Sequence, residues 1–183
     1  VTDFSEDKNP NALPERAGQS DAPEGTEQTL VILAQNETGM LDRVVGMLRR
    51  RRAQTQSITI GKSELPDVSR ITVVMRDTEV EVNQLVEQLR KIVAVRHVVH
   101  LPADSSVLRE LALIKINSNP GQRAEIIELA HLFGAHLVDL ADETVTLEVS
   151  GNTEKIEKFV RLVEPFGIRE VARTGSVAMT REV

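Results

Sequence analysis

The chain has 183 residues, 40% hydrophobic and 27% charged, with a net charge of −6, which suits one domain or two small ones. It contains no Cys, Trp or Tyr and only four Phe. That excludes disulfide frameworks, thiolate metal sites and a cysteine nucleophile, and argues against base-stacking nucleic-acid binders, aromatic cages and carbohydrate-binding faces.

Residues 1–28 hold seven acids against two bases, and the remaining residues together are close to neutral. This opening stretch is rich in Asn, Pro, Gly, Ser and acids, with few apolar residues and no period. Such a composition buries too little surface to offset chain entropy, so a disordered acidic tail is expected over 1–28. It lacks the apolar stretch of a signal peptide and is too acidic for a transit peptide. The first residue is Val rather than Met, as expected of a trimmed or incomplete start. No apolar run nears the ~18 residues of a membrane span, so a soluble, cytoplasmic protein is expected.

From residue 29 the pattern becomes periodic. Thr29–Ala34 is a short apolar run that reads as a buried strand, ending in the turn Gln35–Gly39. Leu41, Val44, Val45 and Leu48 fall at i, i+3, i+4 and i+7, one apolar face of a helix. Gln54–Gly61 and Ser69–Arg76 read as strands around the turn signal Leu65-Pro66-Asp67. Val82, Leu85, Val86 and Leu89 mark a second helix, and Val93–Leu101 is a β-rich run.

Pro102–Ser106 breaks the pattern, and the order then repeats. Arg109–Asn117 reads as a strand, and Asn119-Pro120-Gly121 opens a helix with Ile126, Ile127, Ala130 and Phe133 inward and Gly134 at its end. Ala135–Leu140 and Thr144–Val149 follow as strands. Asn152 or Thr153 caps a helix carrying Ile156, Phe159, Val160 and Val163, and Ile168–Met179 supplies the last strand.

The expected class is α+β: two tandem ferredoxin-like β-α-β-β-α-β units, at 29–102 and 108–183, each a four-stranded antiparallel sheet with two helices on one face. The bare sheet faces and edges call for packing between units or chains, so dimerisation is a physical expectation.

The sharpest local signal is Gln35-Asn36-Glu37-Thr38-Gly39-Met40-Leu41, between a strand and an amphipathic helix. Gly39 permits a tight turn or close approach to a ligand. The free N–H groups of a first helical turn favour a carboxylate or phosphate, and Asn36 and Thr38 add side-chain hydrogen bonds. An ordinary helix start, with Asn36 or Thr38 as N-cap, accounts for the same residues.

The stretch Leu33–Val44 resembles the opening of an ACT domain and, more narrowly, of the small regulatory subunit of acetolactate synthase (acetohydroxyacid synthase). Ser69-Arg70-Ile71-Thr72, Arg109–Ile116 and Phe166–Gly175 match further segments of that family in order and spacing, so the resemblance covers about residues 29–181. It implies a non-catalytic regulator that forms a homodimer. In the family the small subunit binds and activates a thiamine-diphosphate-dependent large subunit, for which Mg and FAD are also expected, and carries no cofactor itself. It confers feedback inhibition by a branched-chain amino acid, usually valine, in valine, leucine and isoleucine biosynthesis.

By match, the effector sits between ACT domains of two chains, with Asn36 and Gly39 at the helix start and Thr38, Met40 and Leu41 lining the site. The family's second strand often reads Gly, an aromatic residue, then Asn-Ile-Glu-Ser-Leu. Here Gln54 and Thr55 stand where the family's effector-facing Asn and Ile do, and Ala53 replaces the ring. A hydroxyl in place of an aliphatic wall disfavours an aliphatic ligand, so valine is expected to bind more weakly than in typical members.

Other features are plainer. Arg49–Arg52 is a run of four Arg at a helix end, either solvated and favoured by the helix dipole or docked on an acidic partner or the acidic tail. His97 and His100 point to opposite faces of a strand, and His131, His136 and Asp139 lack the spacing of a metal site, so none is expected. No catalytic motif occurs, no metal or nucleic-acid partner is expected, and Glu37 would repel a phosphate in the first turn. The C-terminal unit is expected to bind effector poorly, since Pro120 removes an N–H, and to serve dimerisation or activation. A stand-alone ACT-domain amino-acid sensor acting on another target is the alternative reading.

Overall fold

The structure is a computed structural model that describes residues 25–181. The expected disorder of the acidic tail therefore lies outside the described residues over 1–24. Residues 26–28 belong to the first strand, which starts three residues earlier than its apolar run.

The first unit runs β1 (Thr26–Gln35), α1 (Met40–Arg50), β2 (Gln54–Lys62), β3 (Val68–Asp77), α2 (Glu79–Leu89) and β4 (Val95–Leu101). Its antiparallel sheet has the order β2-β3-β1-β4. Leu30, Ile32 and Ala34 of β1 alternate toward the helices and form one core with Ile71, Val73 and Met75 of β3. Met40, Val44 and Leu48 of α1 and Val82, Leu85, Val86 and Leu89 of α2 complete it. The Thr78 hydroxyl caps α2, accepting from the Glu81 N–H and donating to the Glu81 carboxylate, while the Thr78 N–H donates to Asp77, an N-cap that stabilises a helix start.

The second unit runs β5 (Ser106–Asn117), α3 (Arg123–Phe133), β6 (His136–Leu140), β7 (Thr144–Gly151), α4 (Thr153–Val163), β8 (Ile168–Arg173) and β9 (Val177–Thr180). A 3-10 turn over Ala103–Ser105 joins the units. The order β6-β7-β5-β8 repeats that of the first sheet. Its core sets Ala112, Ile114 and Ile116 of β5 and Val145, Leu147 and Val149 of β7 against Ile126, Ala130, Ile156, Phe159 and Val163. Asn152 caps α4, accepting from the Lys155 N–H.

Four local expectations change. In α1 the buried stripe is Met40, Val44 and Leu48, while Leu41 and Val45 turn outward at 41% and 39% exposure. In α3 Ile127 is exposed for the same reason: one narrow stripe at i and i+4 satisfies the sheet. That helix also starts at Arg123, not at Pro120, because Asn119–Gln122 close a turn first, with the Gln122 N–H donating to the Asn119 side chain. The single last strand is two, broken at Gly175, whose φ of +77° lies in the left-handed region.

That break shapes the junction. β8 pairs with residues 112–116 of β5, whereas β9 pairs with its first four residues, Ser106–Arg109. The β5–β9 ribbon lies on the helix-free face of the first sheet, where Leu108 and Ala178 join Val31, Val99 and Leu101 in a small third apolar cluster. Arg70 reaches across to donate to the Ala178 carbonyl at 2.7 Å, and Thr59 Oγ1 donates to the Thr174 carbonyl at 3.3 Å. The bare face of the first sheet is thus partly covered within one chain. The corresponding face of the second sheet carries Lys115, Thr146 and Glu170 and remains open to water. Among the described residues no helix is long and apolar enough to cross a membrane.

Candidate effector site

β1 ends at Gln35, and its last N–H donates to the Ala94 carbonyl at 2.7 Å. The Asn36 N–H donates to the carbonyl of Asp67 at 2.8 Å, which ties the turn to the β2–β3 loop. Gly39, at φ +79° and ψ 3°, is itself the N-cap of α1, and no side chain caps the helix. The expected capping role of Asn36 or Thr38 is therefore not taken up. A left-handed N-cap turns the chain so sharply that neither side chain lies over the first turn, and Asn36, Glu37 and Thr38 all stand exposed.

The consequence is chemical. The Met40 N–H donates to Glu37 and the Arg43 N–H to Gly39. The N–H groups of Thr38, Gly39, Leu41 and Asp42 meet no acceptor among the described residues. Uncapped N–H groups at a helix start form a partly positive arc suited to a carboxylate. The negative charge of Glu37 is offset by Arg43, 3.7 Å away, whose guanidinium also donates to the Thr38 carbonyl.

The remaining site residues separate. Met40 is buried in the core and anchors the turn from beneath, while Leu41 faces outward. Gln54 and Thr55 open β2, paired with Arg76 and Met75, whereas the Asn36 turn stands at the other end of the sheet beside Lys62–Ser69. β2 spans nine residues, so roughly 26 Å separate the two groups within one chain. The structure brings Asn36, Thr38 and Gly39 together and sets Gln54 and Thr55 apart from them.

Sequence reasoning did not single out Lys62 or Asp67. They line, with Asn36, a hollow of about 430 Å³ beside the turn. The left-handed φ of Asp67, +57°, aims its carbonyl at the Asn36 N–H, and the Leu65-Pro66-Asp67 turn signal was its only trace in sequence. Another cleft, of 410 Å³, lies between the units and is lined by Ser57, Glu157, Arg173 and Gly175 among others. Among the described residues no group of three or more His, Asp or Glu is placed to hold a metal ion.

Comparison with known proteins bears on the family and the fold. Residues 30–97 match the family model of the AHAS small subunit-like ACT domain, and residues 109–182 that of the small subunit of acetolactate synthase. The chain is 39% identical over 155 residues to a probable acetolactate synthase small subunit of Archaeoglobus fulgidus, covering 85% of this chain and 97% of the relative. It is 38% identical over 156 residues to the acetolactate synthase small subunit of Bacillus subtilis, covering 85% and 91%. The crystal structure of the acetolactate synthase small subunit of Thermotoga maritima superposes with a TM-score of 0.82 at 31% identity, covering 86% of this chain and 99% of that one. Fold and turn together define an ACT-domain protein with a second ferredoxin-like unit. Within that class, the chain belongs to the acetolactate synthase small-subunit family.

Proposed function

We infer that the chain is the non-catalytic regulatory subunit of acetolactate synthase, binding and activating a catalytic large subunit and conferring feedback inhibition by a branched-chain amino acid. The observation that carries this reading is the arc of N–H groups around Gly39, left without acceptors beside Asn36. A free amino acid presents a carboxylate to such an arc, and Asn36 offers an amide oxygen to its ammonium group. Thiamine diphosphate, Mg and FAD belong in this reading to the large subunit, and the assembly works in the cytoplasm.

The separation of Gln54 and Thr55 from the turn supports a homodimer. β2 is an edge strand of its sheet. Pairing it with β2 of a second copy about a two-fold axis sets the two strands antiparallel. Gln54 and Thr55 of one copy then meet the Lys62 end of the other, where Asn36 and Gly39 stand. The right-handed β1–α1–β2 crossover places α1 on the β2 side, and Leu41, Val45 and Ile60, all exposed in the single chain, are apolar surface for the second copy to cover. Effector bound across this interface favours one dimer arrangement and the large subunit another, so each alters the affinity of the other reciprocally.

The test is reconstitution with the cognate large subunit, measuring acetolactate formation with and without valine, leucine or isoleucine. A rise on adding this chain, reversed by one of the amino acids, is expected. An unchanged rate in every arm would overturn the reading and leave a stand-alone amino-acid sensor in its place.

A further inference from the structure

The end of α1 carries Arg49, Arg50, Arg51 and Arg52 in succession, all exposed. None of the four makes an ion pair among the described residues. Glu87 of α2 shares a groove with Arg51, but its carboxylate is engaged by Arg90 at 2.7 Å. The patch is strongly positive, and none of its guanidinium groups is paired with an acid among the described residues.

Its backbone is unusual as well. The Ala53 N–H donates to the Leu48 carbonyl and the Arg52 N–H to Arg49, the paired bonds of a helix ending that normally places Gly at the left-handed position. Here that position is Arg52, at φ +53°. An arginine therefore stands where glycine would relieve the backbone, and the positive charge at that point is the feature a glycine would lose.

The topology supplies an occupant. Glu27 pairs with Arg76, and Arg76 pairs with Gln54, so three strands lie in one row at the end of the sheet where α1 finishes. Two strand spacings place Gly25, where the described chain begins, roughly 10 Å from Arg52. The preceding residues 1–24 hold six acids against two bases, with Asp21 and Glu24 nearest the exit. At ~3.3 Å per residue, three or four residues span that gap.

We propose that the acidic segment 1–24 docks on the Arg49–Arg52 patch of its own chain. It neutralises the patch and covers the α1–α2 groove where Val80 stands exposed. The contact is electrostatic, so it strengthens as the Debye length rises from about 3 Å at 1 M salt to about 30 Å at 0.01 M.

The absence of cysteine allows a clean test on the full chain. A nitroxide on Ser20→Cys is expected to broaden the amide signals of residues 49–53 at about 0.01 M salt and to release them at about 1 M. Neutralising the segment (Glu15→Gln, Asp21→Asn, Glu24→Gln), which leaves every described residue intact, is expected to abolish the broadening. Arg52→Gly is expected to raise the melting temperature while weakening the broadening. Unaltered 49–53 signals at low salt overturn the proposal, as does broadening that survives neutralisation. Equal broadening when the nitroxide sits only on a second, isotopically silent copy assigns the patch to another chain's segment. Poly-glutamate binding equally well to the native and the neutralised chain shows a patch open to acidic partners. Either of these results overturns the proposal too.

Discussion

Arg173 of β8 donates two hydrogen bonds to the carboxylate of Glu110 on β5, at 2.5 and 2.9 Å, and Glu110 is only 6% exposed. The Glu110 hydrogen bond holds the guanidinium above its ordinary pKa, against the opposing effect of burial. Removing one partner strands the other, so Arg173→Met is expected to cost up to about 3–5 kcal/mol, reduced by the partial exposure of Arg173. Urea unfolding should show the Glu110→Met, Arg173→Met double variant recovering most of that loss. A double variant as unstable as the single one would show that the pair matters for packing alone.

Gly175 sits at the junction with a left-handed φ, and a Cβ there would lie 2.8 Å from Thr59 Oγ1 and 3.1 Å from Ser57 Cβ. Gly175→Ala combines backbone strain of about 1–2 kcal/mol with a contact that must open the junction. Faster amide hydrogen exchange in β9 and the start of β5 is the expected readout, with the α3 and α4 amides unchanged.

The same substitution at Gly39 meets nothing closer than Arg43 Nη2 at 4.0 Å, so its effect is backbone strain alone. Gly39→Ala is expected to destabilise the first unit by about 1–2 kcal/mol and to shift the arc of N–H groups. Asn36→Ala removes one exposed hydrogen-bonding group with no stability cost. On the proposed function it weakens effector binding about tenfold, the equivalent of ~1.4 kcal/mol, measured by calorimetry on the whole chain.

On the proposed function, Thr55 offers a hydroxyl where an aliphatic effector needs an apolar wall. Thr55→Ile is expected to tighten valine binding by roughly tenfold, within the ~1–3 kcal/mol that a pocket gains per methylene. Tight valine binding by the unaltered chain, unaffected by this change, would remove Thr55 from the effector site.

Glu154, in the first turn of α4, accepts a hydrogen bond from Lys158 at 2.7 Å, and that bond draws its pKa below the ordinary carboxylate value. A folded-state pKa lower than the unfolded one means the stabilisation is present above the unfolded value and lost as pH falls through the folded one. Wild type and Glu154→Gln should therefore differ slightly in melting temperature near neutral pH and converge in acid. Solvent screening of the exposed pair keeps the difference small.

Much of the fold was legible because both units bury one face. The stripe Val82, Leu85, Val86 and Leu89 is buried as its spacing suggests, and so are Ile156, Phe159 and Val163. Periodicity could not separate Leu41 and Val45 from Val44 and Leu48, since all four fit one apolar stripe and only the narrower Met40, Val44, Leu48 line is buried. The break at Gly175 was hidden for a related reason: a glycine within a β-rich run marks a bend only when a second sheet lies beneath it. At the candidate site the turn was readable from Asn36-Glu37-Thr38-Gly39, but the left-handed N-cap was not. The distance from Gln54 to that turn is a matter of strand direction, which local sequence does not encode.

β5 begins in the ribbon that lies on the first sheet and ends inside the second sheet, all within one uninterrupted strand of 12 residues. A strand of that length is a strut of roughly 40 Å. Its backbone bonds to β7, β8 and β9 resist bending along most of its course. A tilt imposed on the first unit is therefore delivered to the second as leverage, at the far end of the strut, rather than absorbed as slack between two beads on a string.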